Sequence, residues 1–237
     1  MDTLANGTSR LGIFLTEQQL EQLEVYYQEM ALWNRRVNLT SITDHEDVMI
    51  KHFLDSYTLS PTLTDVLTSG GSVIDVGSGS GVPGIPLKIA FPSMNLVLLD
   101  SVGKKTRFLQ HVAQTLNLDG VQILNGRAED LAHKPELRER FDAVISRGVA
   151  ALPSLMELTL PYCHIGGKVI AMKKGNIQHE LDSAHNAIKI LGGLLLETVS
   201  VNLDALQDQR LLVIVKKVNL TPAKFPRGPG PVKKRPL

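Results

Sequence analysis

One glycine-rich segment and one acid further along the chain could together bind a nucleoside. The segment is Val73-Ile-Asp-Val-Gly-Ser-Gly-Ser-Gly-Val-Pro-Gly-Ile-Pro86, in which Asp75 precedes three alternate glycines that begin at Gly77. Alternate glycines let the chain turn sharply and bring backbone N–H groups close to a ligand. Asp100 lies 23 residues after Gly77, at the end of the next apolar run, where a carboxylate reaches ribose hydroxyls. This combination predicts a nucleoside-containing cofactor; the alternative is a tight turn beside a solvated Asp100.

The spacing of the glycines discriminates between nucleoside cofactors. A dinucleotide fingerprint G-x-G-x-x-G that begins at Gly77 requires glycine at position 82, where this chain has Val82. The chain also lacks the Gly-Lys-Ser/Thr sequence that binds nucleoside triphosphates. A nicotinamide-dependent oxidoreductase is therefore disfavoured, and the pattern D-x-G-x-G-x-G indicates a different nucleoside cofactor.

Basic side chains stand at the carboxyl ends of three predicted strands. They are Arg127 after the third strand, Arg147 at the end of the fourth, and Lys173 and Lys174 at the end of the fifth. Ligands of open α/β sheets bind at these strand ends. Clustered cations there favour an anionic, phosphate-bearing substrate such as RNA, although each of these side chains could equally be solvated.

The histidines and the single cysteine predict neither metal nor thiol chemistry. The seven histidines show no metal-ligand spacing, so no catalytic metal is expected. Cys163 excludes an internal disulfide framework and is expected to be a small buried apolar side chain. His52 and Asp55 share one face of a predicted helix, and the sequence leaves two roles open for them. One is a structural hydrogen bond where the helices meet the sheet, and the other is a contact with RNA.

These residues require a sheet whose strands end at a common edge. After Ser72, short apolar runs alternate with helical lengths, which is the pattern of a doubly wound, mostly parallel α/β sheet. Lys104–Asn117 and Ala151–Cys163 are long enough to be crossover helices. The predicted strands are Val73–Val76, Leu96–Leu99, Val121–Leu124, Phe141–Ser146 and Lys168–Met172.

The last two apolar runs predict an antiparallel hairpin. Leu194–Val201 and Gln209–Val218 are separated by too few residues for a parallel crossover, which needs roughly a dozen. The sheet is therefore expected to be mixed, with a late antiparallel strand near one edge.

Helices are predicted before the sheet and a basic tail after it. Thr16 and Gln19 form a capping-box pattern that begins one helix, and a second is predicted from Asp44 to Leu59. We expect an N-terminal helical cap at 1–70, an α/β core at 71–218 and a tail at 219–237. The tail is too rich in proline and glycine to predict regular structure.

Composition and charge define the class of protein and suggest an anionic partner. The chain has 237 residues, of which 43% are hydrophobic and 21% charged, as in a soluble globular protein. The net charge is only +1, but the segment from Lys216 to the last residue contains seven basic residues and no acidic residue. A basic tail on an acidic body favours an anionic partner, although a solvated tail could serve solubility alone. No apolar stretch approaches ~18 residues and no signal peptide is recognisable, so we expect a cytoplasmic protein.

Several segments, taken in chain order, carry a family resemblance. They are Asn38-Leu-Thr-Ser41, His52-Phe-Leu-Asp-Ser56, Asp75–Pro86, Leu98-Leu-Asp-Ser101, Arg127-Ala-Glu129, Phe141–Arg147 and Arg210-Leu-Leu-Val213. The glycine pattern resembles motif I of class I S-adenosylmethionine-dependent methyltransferases. Together the segments resemble the bacterial small-subunit (16S) ribosomal RNA guanine-N7 methyltransferase family, formerly called glucose-inhibited division protein B.

The resemblance implies a fold, a cofactor, a partner and a set of site residues. The fold would be that of a class I methyltransferase, and the cofactor S-adenosylmethionine. The partner would be 16S ribosomal RNA or a small ribosomal subunit, bound by a monomer. Ala128 and Glu129 would lie along the adenine, and Arg147 would contact cofactor or substrate. The glycine-turn argument adds Gly79, and the ribose argument adds Asp100. The expected cofactor-binding residues are therefore Gly77, Gly79, Val82, Asp100, Ala128, Glu129 and Arg147.

Simpler interpretations exist for two of these residues. Glu129 could be an ordinary solvated acid, and Arg147 could form a surface ion pair. The expected RNA contacts, Arg127, Lys173 and Lys174, come from the strand-end argument alone.

The resemblance also implies the reaction. Guanine N7 has an in-plane lone pair and no proton, so methylation there needs no general base, and we expect no acid–base residue. Catalysis would come from holding N7 in line with the methyl–sulfur bond. Cys163 lacks the Pro-Cys context of cytosine-C5 enzymes, and Ser146-Arg-Gly-Val149 replaces the Asn/Asp-Pro-Pro-aromatic segment of adenine-N6 enzymes. The alternatives are a small-molecule methyltransferase and a ribosome-assembly factor that binds RNA without methyl transfer.

Overall fold

A seven-stranded sheet forms the centre of the protein, in a computed structural model that describes residues 2–237. The strands are β1 (Ser72–Val76), β2 (Asn95–Asp100), β3 (Val121–Asn125), β4 (Phe141–Arg147), β5 (Cys163–Lys174), β6 (Gly193–Val201) and β7 (Arg210–Lys217). Their order across the sheet is β3-β2-β1-β4-β5-β7-β6.

The sheet is parallel except for its last hairpin. β1 to β5 pair in parallel, whereas β7 runs antiparallel to both β5 and β6. Only residues 202–209 connect β6 to β7, which is too short for a parallel crossover. The predicted doubly wound sheet with a late antiparallel strand is therefore confirmed.

Both faces of the sheet are covered by helices. Alternate residues of a strand point to opposite faces, so Val73 of β1 joins one buried cluster and Ile74 joins the other. The helices are α1 (Asp2–Arg10), α2 (Glu17–Val37), α3 (His45–Val48), α4 (Asp55–Tyr57), α5 (Ser60–Thr68), α6 (Gly84–Ala90), α7 (Gly103–Thr115), α8 (Ala128–Leu131), α9 (Leu152–Thr159), α10 (Gln178–Ile190) and α11 (Pro229–Lys234). Within residues 2–237, none of them is both long and apolar enough to cross a membrane.

The five helices before β1 pack on the sheet through a shared apolar cluster. The predicted capping box at Thr16 begins α2, where the Thr16 hydroxyl accepts a hydrogen bond from the Gln19 N–H. Tyr26 of α2 stacks against Phe53, and its ring also lies 6.5 Å from that of Phe108 in α7. Because these rings are fully buried, the helices before β1 and those of the sheet share one core.

The second predicted helix contains an irregularity that its sequence does not reveal. The segment Met49–Leu54 is π-helical and joins α3 to α4, so the helical path runs from His45 to Tyr57. π-Helical turns are rare and occur frequently at functional sites.

The boundary between α9 and β5 differs from the prediction. The α-helix ends at Thr159, followed by a 3₁₀ turn at Leu160–Tyr162, because Pro161 cannot continue the α-helical hydrogen bonds. Cys163 therefore begins β5 and does not end a helix, and β5 starts five residues before the predicted Lys168.

The prediction of an irregular tail is wrong in part. Pro229–Lys234 form the short helix α11, and Pro229 is tolerated because it lies in the first helical turn. Phe225 and Val232 are buried against the core. Burial of these two side chains thus orders a segment for which the proline and glycine content predicted no regular structure.

Candidate active site

A cleft of about 280 Å³ opens at the carboxyl ends of β1, β2 and β3. Its walls include Gly77 after β1, Asp100 at the end of β2, and Ala128 and Glu129 at the start of α8. Parallel strands bring their carboxyl ends to one edge, which explains why residues so far apart in sequence meet here. We term this the cofactor cleft.

Asp100 is buried and holds the glycine-rich turn in place. Its Oδ2 accepts a hydrogen bond from the Gly79 backbone N–H at 2.9 Å, and its Oδ1 accepts one from Val102 at 2.8 Å. A carboxylate offers about four acceptor sites, so acceptor capacity remains for the hydroxyl groups of a ligand. Gly79 contributes through this backbone contact, whereas Val82 is buried in the loop and does not line the cleft.

The cofactor cleft combines apolar and charged walls. Leu99, Val102 and Leu158 line it beside the carboxylates of Asp100 and Glu129, and the basic residues Lys105 and Arg127 line it as well. S-adenosylmethionine carries an adenine ring, a ribose and a sulfonium cation, so apolar surface, hydroxyl acceptors and negative charge all have a counterpart in it. The residues present therefore fit this cofactor.

Gly77 is a position where a side chain cannot be accommodated. Its φ is +75°, and an added Cβ would lie 2.4 Å from Cγ2 of Val149, which also lines the cleft. We expect Gly77→Val to weaken S-adenosylmethionine binding at least about tenfold, or ~1.4 kcal/mol, as measured by calorimetry. Gly12→Val is the matched control, because Gly12 has the same φ and no neighbour within 4 Å. Equal affinity in the two variants would remove Gly77 from the cofactor site.

The start of α8 is held from behind by a buried tyrosine. The Tyr162 hydroxyl donates a hydrogen bond to the Ala128 carbonyl at 2.6 Å. Glu129, the next residue, is 7% exposed, so it is not the ordinary solvated acid that the sequence left open. Arg127 is exposed and lines the cofactor cleft itself.

The N-terminal helices reach the glycine-rich turn through Tyr26. Its buried hydroxyl donates a hydrogen bond to the carbonyl of Ser80, between Gly79 and Gly81. This bond ties α2 to the turn that shapes the cofactor cleft. The sequence analysis did not identify Tyr26 as a site residue, because its contact with Ser80 joins segments 54 residues apart.

Removal of the Tyr26 hydroxyl should loosen the turn. We expect Tyr26→Phe to weaken S-adenosylmethionine binding about fivefold, since a lost hydrogen bond is worth ~1 kcal/mol. Tyr57→Phe is the control, because the buried Tyr57 hydroxyl has no partner among the described residues. That variant should bind the cofactor like wild type. Wild-type affinity in Tyr26→Phe would mean that the turn is held without the N-terminal helices.

Asp75 is fully buried beside the glycine-rich turn. Its Oδ2 accepts a hydrogen bond from the Gly84 N–H at 3.0 Å, whereas its Oδ1 has no partner among residues 2–237. Burial raises the pKa of Asp75 from its ordinary 3.8 to about 7, because the charged form is poorly solvated there. The Gly84 bond and the positive charge of Arg147 oppose this shift only in part.

Folding stability should therefore depend on pH through Asp75. The folded protein retains a proton on Asp75 between about pH 4 and 7 that the unfolded chain releases, so stability falls as pH rises through this range. Asp75→Asn should remove that part of the slope, as measured by urea unfolding at pH 5 and 8. Asp65→Asn, at an exposed carboxylate, should keep the slope. An unchanged slope in Asp75→Asn would contradict the raised pKa.

A second cleft, of about 480 Å³, adjoins the cofactor cleft at Gly148. Its walls come from the π-helical segment, from the residues that end β4 and β5, and from the start of β7. Gly148 lines both clefts and follows β4 directly. A molecule in the second cleft would therefore adjoin one in the cofactor cleft at this glycine.

Two arginines share one buried carboxylate in the second cleft. Asp55 is 1% exposed, and its Oδ2 pairs with Arg147 Nη1 at 3.0 Å and with Arg210 Nη1 at 2.7 Å. Arg147 also donates a hydrogen bond to the Lys51 carbonyl at 3.0 Å. Arg147 thus forms a half-buried ion pair in the second cleft and does not line the cofactor cleft. Asp208 Oδ2 also lies 3.3 Å from Arg210 Nη2. The second cleft as a whole is lined by five basic side chains and two carboxylates, so its wall is positive.

His52 belongs to the same network and is uncharged. Its Nδ1 lies 3.1 Å from both Arg147 Nη2 and the Lys51 carbonyl oxygen, and its Nε2 lies 2.8 Å from the Thr40 hydroxyl. Burial and the positive charge of Arg147 lower the pKa of His52 to about 4. The sequence left two roles open for His52 and Asp55. The structure shows the structural role, because both side chains contact Arg147 of β4 where the N-terminal helices meet the sheet.

Lys173 and Lys174 both line the second cleft, and each is ion-paired. Lys173 Nζ lies 2.7 Å from Glu180 Oε2, and Lys174 Nζ lies 3.1 Å from Asp208 Oδ2. Lys173 is mostly buried, whereas Lys174 is exposed. Of the two, Lys174 has the freer ammonium group for an external phosphate.

Arg210 is a site residue that the strand-end argument missed. It begins β7, opposite Lys174 of β5 in the register, and is 5% exposed. In an antiparallel strand the first residue lies at the edge where the parallel strands end. The sequence could have indicated Arg210 as a site residue, because it directly precedes the apolar run Leu211–Val215 of the predicted hairpin.

Cys163 has the inert character expected from the sequence. Its side chain is buried, and burial raises the pKa of its thiol to about 12. The thiol is therefore protonated near neutral pH, and the reactive form of cysteine, the thiolate, is absent.

Comparison with solved structures identifies the fold class. An rRNA methylase from Streptococcus thermophilus superposes with a TM-score of 0.51 at 16% identity, covering 69% of this chain and 96% of that one. A SAM-dependent O-methyltransferase from Thermotoga maritima superposes with a TM-score of 0.51 at 14% identity, covering 71% and 66%. The fold is thus that of class I methyltransferases, and the predicted fold class is confirmed.

Comparison of sequences identifies the family. The family model GidB, described as rRNA small subunit methyltransferase G, matches residues 19–212. Ribosomal RNA small subunit methyltransferase G of Dehalococcoides mccartyi is 48% identical over 237 residues and covers 100% of both chains. Its counterpart from Lachnoclostridium phytofermentans is 44% identical over 235 residues, 99% of this chain and 96% of the relative. The chain belongs to this family, which confirms the expected methyltransferase class and S-adenosylmethionine as methyl donor.

Proposed function

We propose that this chain transfers a methyl group from S-adenosylmethionine to N7 of a guanine in 16S ribosomal RNA. The observation that supports this most is the junction of two clefts at Gly148, in a chain of the rRNA small subunit methyltransferase G family. One cleft fits the cofactor, and the other presents a positive wall beside it. A base in the second cleft would face the methyl group at this junction.

The proposed mechanism depends on positioning. When bound, S-adenosylmethionine supplies an electrophilic methyl group on its sulfonium sulfur. Asp100 and the backbone at Gly77 would hold the ribose side, and Ala128 and Glu129 would flank the adenine. Guanine N7 has no proton to lose, so no residue is assigned as general acid or base. Alignment of the reacting atoms supplies the rate enhancement.

Arg147 and Arg210 are the proposed contacts for the target nucleotide. Asp55 holds both guanidinium groups before substrate binds, so little side-chain entropy is lost on binding. A donor on N7 would occupy the attacking lone pair, so the compatible acceptors are guanine O6 and the phosphate oxygens. His52 orients Arg147 and adds no charge of its own.

Three further cations have different proposed roles. Lys174 contacts RNA at the rim of the second cleft, since its ammonium group is exposed. Lys173 is held by Glu180 and shapes the wall. Arg127 lines the cofactor cleft and would contact RNA that passes over it. We also propose that the protein acts in the cytoplasm as a monomer, on free 16S RNA or on an assembling small subunit.

Methyl transfer to RNA tests the proposed function directly. Free 16S RNA and small subunits from cells that lack this protein would be incubated with it and labelled S-adenosylmethionine, followed by nucleoside analysis. The expected product is 7-methylguanosine in 16S RNA. Transfer to small metabolites in a parallel assay, with none to RNA, would favour a small-molecule methyltransferase. Tight cofactor binding without transfer would favour a non-catalytic assembly factor.

A further inference from the structure

The C-terminal arm, residues 224–237, is anchored to the core by a buried ion pair. Arg227 donates from Nε and Nη2 to the Glu157 carboxylate at 2.8 and 2.6 Å, and its backbone N–H adds a third bond at 2.8 Å. Glu157 is 0% exposed, and Phe225 and Val232 of the arm are buried as well. The arm is therefore held in a defined position on α9.

That position is close to the second cleft. The Ser154 hydroxyl donates a hydrogen bond to the Val232 carbonyl of α11 at 2.8 Å. Ser154 lies in the first turn of α9, whose first residue, Leu152, donates its N–H to Glu180 Oε2 at 2.8 Å. Glu180 lines the second cleft. The helix α11 therefore contacts α9 within one helical turn of Leu152, which binds Glu180 of the cleft wall.

The arm presents three consecutive cations to solvent at this place. Lys233, Lys234 and Arg235 are exposed, and none of the ion pairs between described side chains involves them. Arg227 of the same arm differs, because its charge is consumed by Glu157. The fifth basic residue of the arm, Lys224, has its Nζ 5.2 Å from the centre of the Phe225 ring. Lys233, Lys234 and Arg235 are the three consecutive cations that are free to meet an external anion.

We propose that Lys233, Lys234 and Arg235 form a contact site for RNA phosphates beside the second cleft. This inference rests on the proposed RNA substrate. A row of unpaired cations complements the phosphate backbone without reading its sequence. Since the arm is docked before RNA binds, the site is preorganised. It supplies affinity and orientation for the RNA that flanks the target nucleotide, and it takes no part in the methyl transfer.

Substitution of the three exposed cations tests the site. The variant carries Lys233→Gln, Lys234→Gln and Arg235→Gln, and retains Phe225 and Arg227, so that the arm stays docked. Its affinity for 16S RNA should fall roughly 10- to 100-fold near physiological salt, and each lost phosphate contact should flatten the log-affinity against log-salt slope by about 0.7–0.9. Cofactor affinity and the single-turnover rate at saturating RNA should not change.

A matched control removes the same charges elsewhere. Arg140, Lys189 and Lys216 are also one arginine and two lysines, are exposed, and lie near the opposite end of the sheet. Their replacement by glutamine should leave RNA affinity and salt slope close to wild type. If the two triple variants behaved alike, the arm would not contact RNA and would serve solubility alone. Failure of the wild-type protein to methylate RNA is a separate result, which would refute the proposed function.

Discussion

A target guanine replaced by 7-deazaguanine is expected to bind the protein and to receive no methyl group. The replacement converts N7 to a C–H group, which removes the attacking lone pair and preserves the ring shape and the Watson–Crick edge. O6, a proposed acceptor for Arg147 or Arg210, is also retained. Labelled methyl transfer in a single-turnover assay should therefore vanish, while RNA affinity measured by filter binding is unchanged.

The control for this experiment is 7-deazaguanine at a neighbouring guanine that is not the target. That RNA should be methylated like the natural one, since its reacting atom is intact. Methylation of the 7-deaza target would show that another atom attacks, and the guanine-N7 assignment would then fail while the methyltransferase class stands. Loss of RNA binding would show that N7 serves recognition as well as reaction.

Arg227→Ala is expected to lower the free energy of unfolding by about 3–5 kcal/mol. Glu157 is 0% exposed, and the Arg227 side chain supplies two of the three hydrogen bonds that Arg227 donates to it, so the substitution leaves a buried carboxylate without its cation. The arm should also be held less firmly, while Phe225 and Val232 stay buried and the Ser154 hydroxyl still binds the Val232 carbonyl. Urea unfolding monitored by circular dichroism measures the loss.

A double variant separates the lost ion pair from the lost packing. Glu157→Leu with Arg227→Met replaces both charges by apolar side chains of similar size, and such replacements are often neutral or stabilising. Lys233→Ala, at an exposed cation of the same arm, should change stability by less than about 0.5 kcal/mol. A loss below about 1 kcal/mol in Arg227→Ala would show that the Glu157 charge is satisfied without the arm.

Local patterns predicted the parts of the site that lie close together in sequence. The glycine turn at Gly77 and the acid at Asp100 are each marked by residue type and position, and both line the cofactor cleft. Strand alternation with helices predicts that they share one sheet edge. Ala128 and Glu129 came from the family resemblance alone, and they line the same cleft.

Contacts between distant segments were not predictable in the same way. Arg147 was expected at the cofactor, yet it lies against Asp55, 92 residues away, in the second cleft. The π-helical segment that brings His52 to Arg147 has no recognised sequence signal. The tail offers a similar case, because one of its anchors is Glu157, 70 residues before Arg227.

The sequence by itself determined the class of this protein: the mixed sheet, the glycine-rich turn and the ribose acid follow from patterns that span a few residues. Only the tertiary structure decided which charges meet. It placed Arg147 and Arg210 on Asp55, Tyr26 on the glycine turn, and Arg227 on Glu157. The physical reason is that backbone propensity and apolar periodicity act locally, whereas a buried charge or hydroxyl is satisfied by whichever partner the packed fold brings within hydrogen-bond distance.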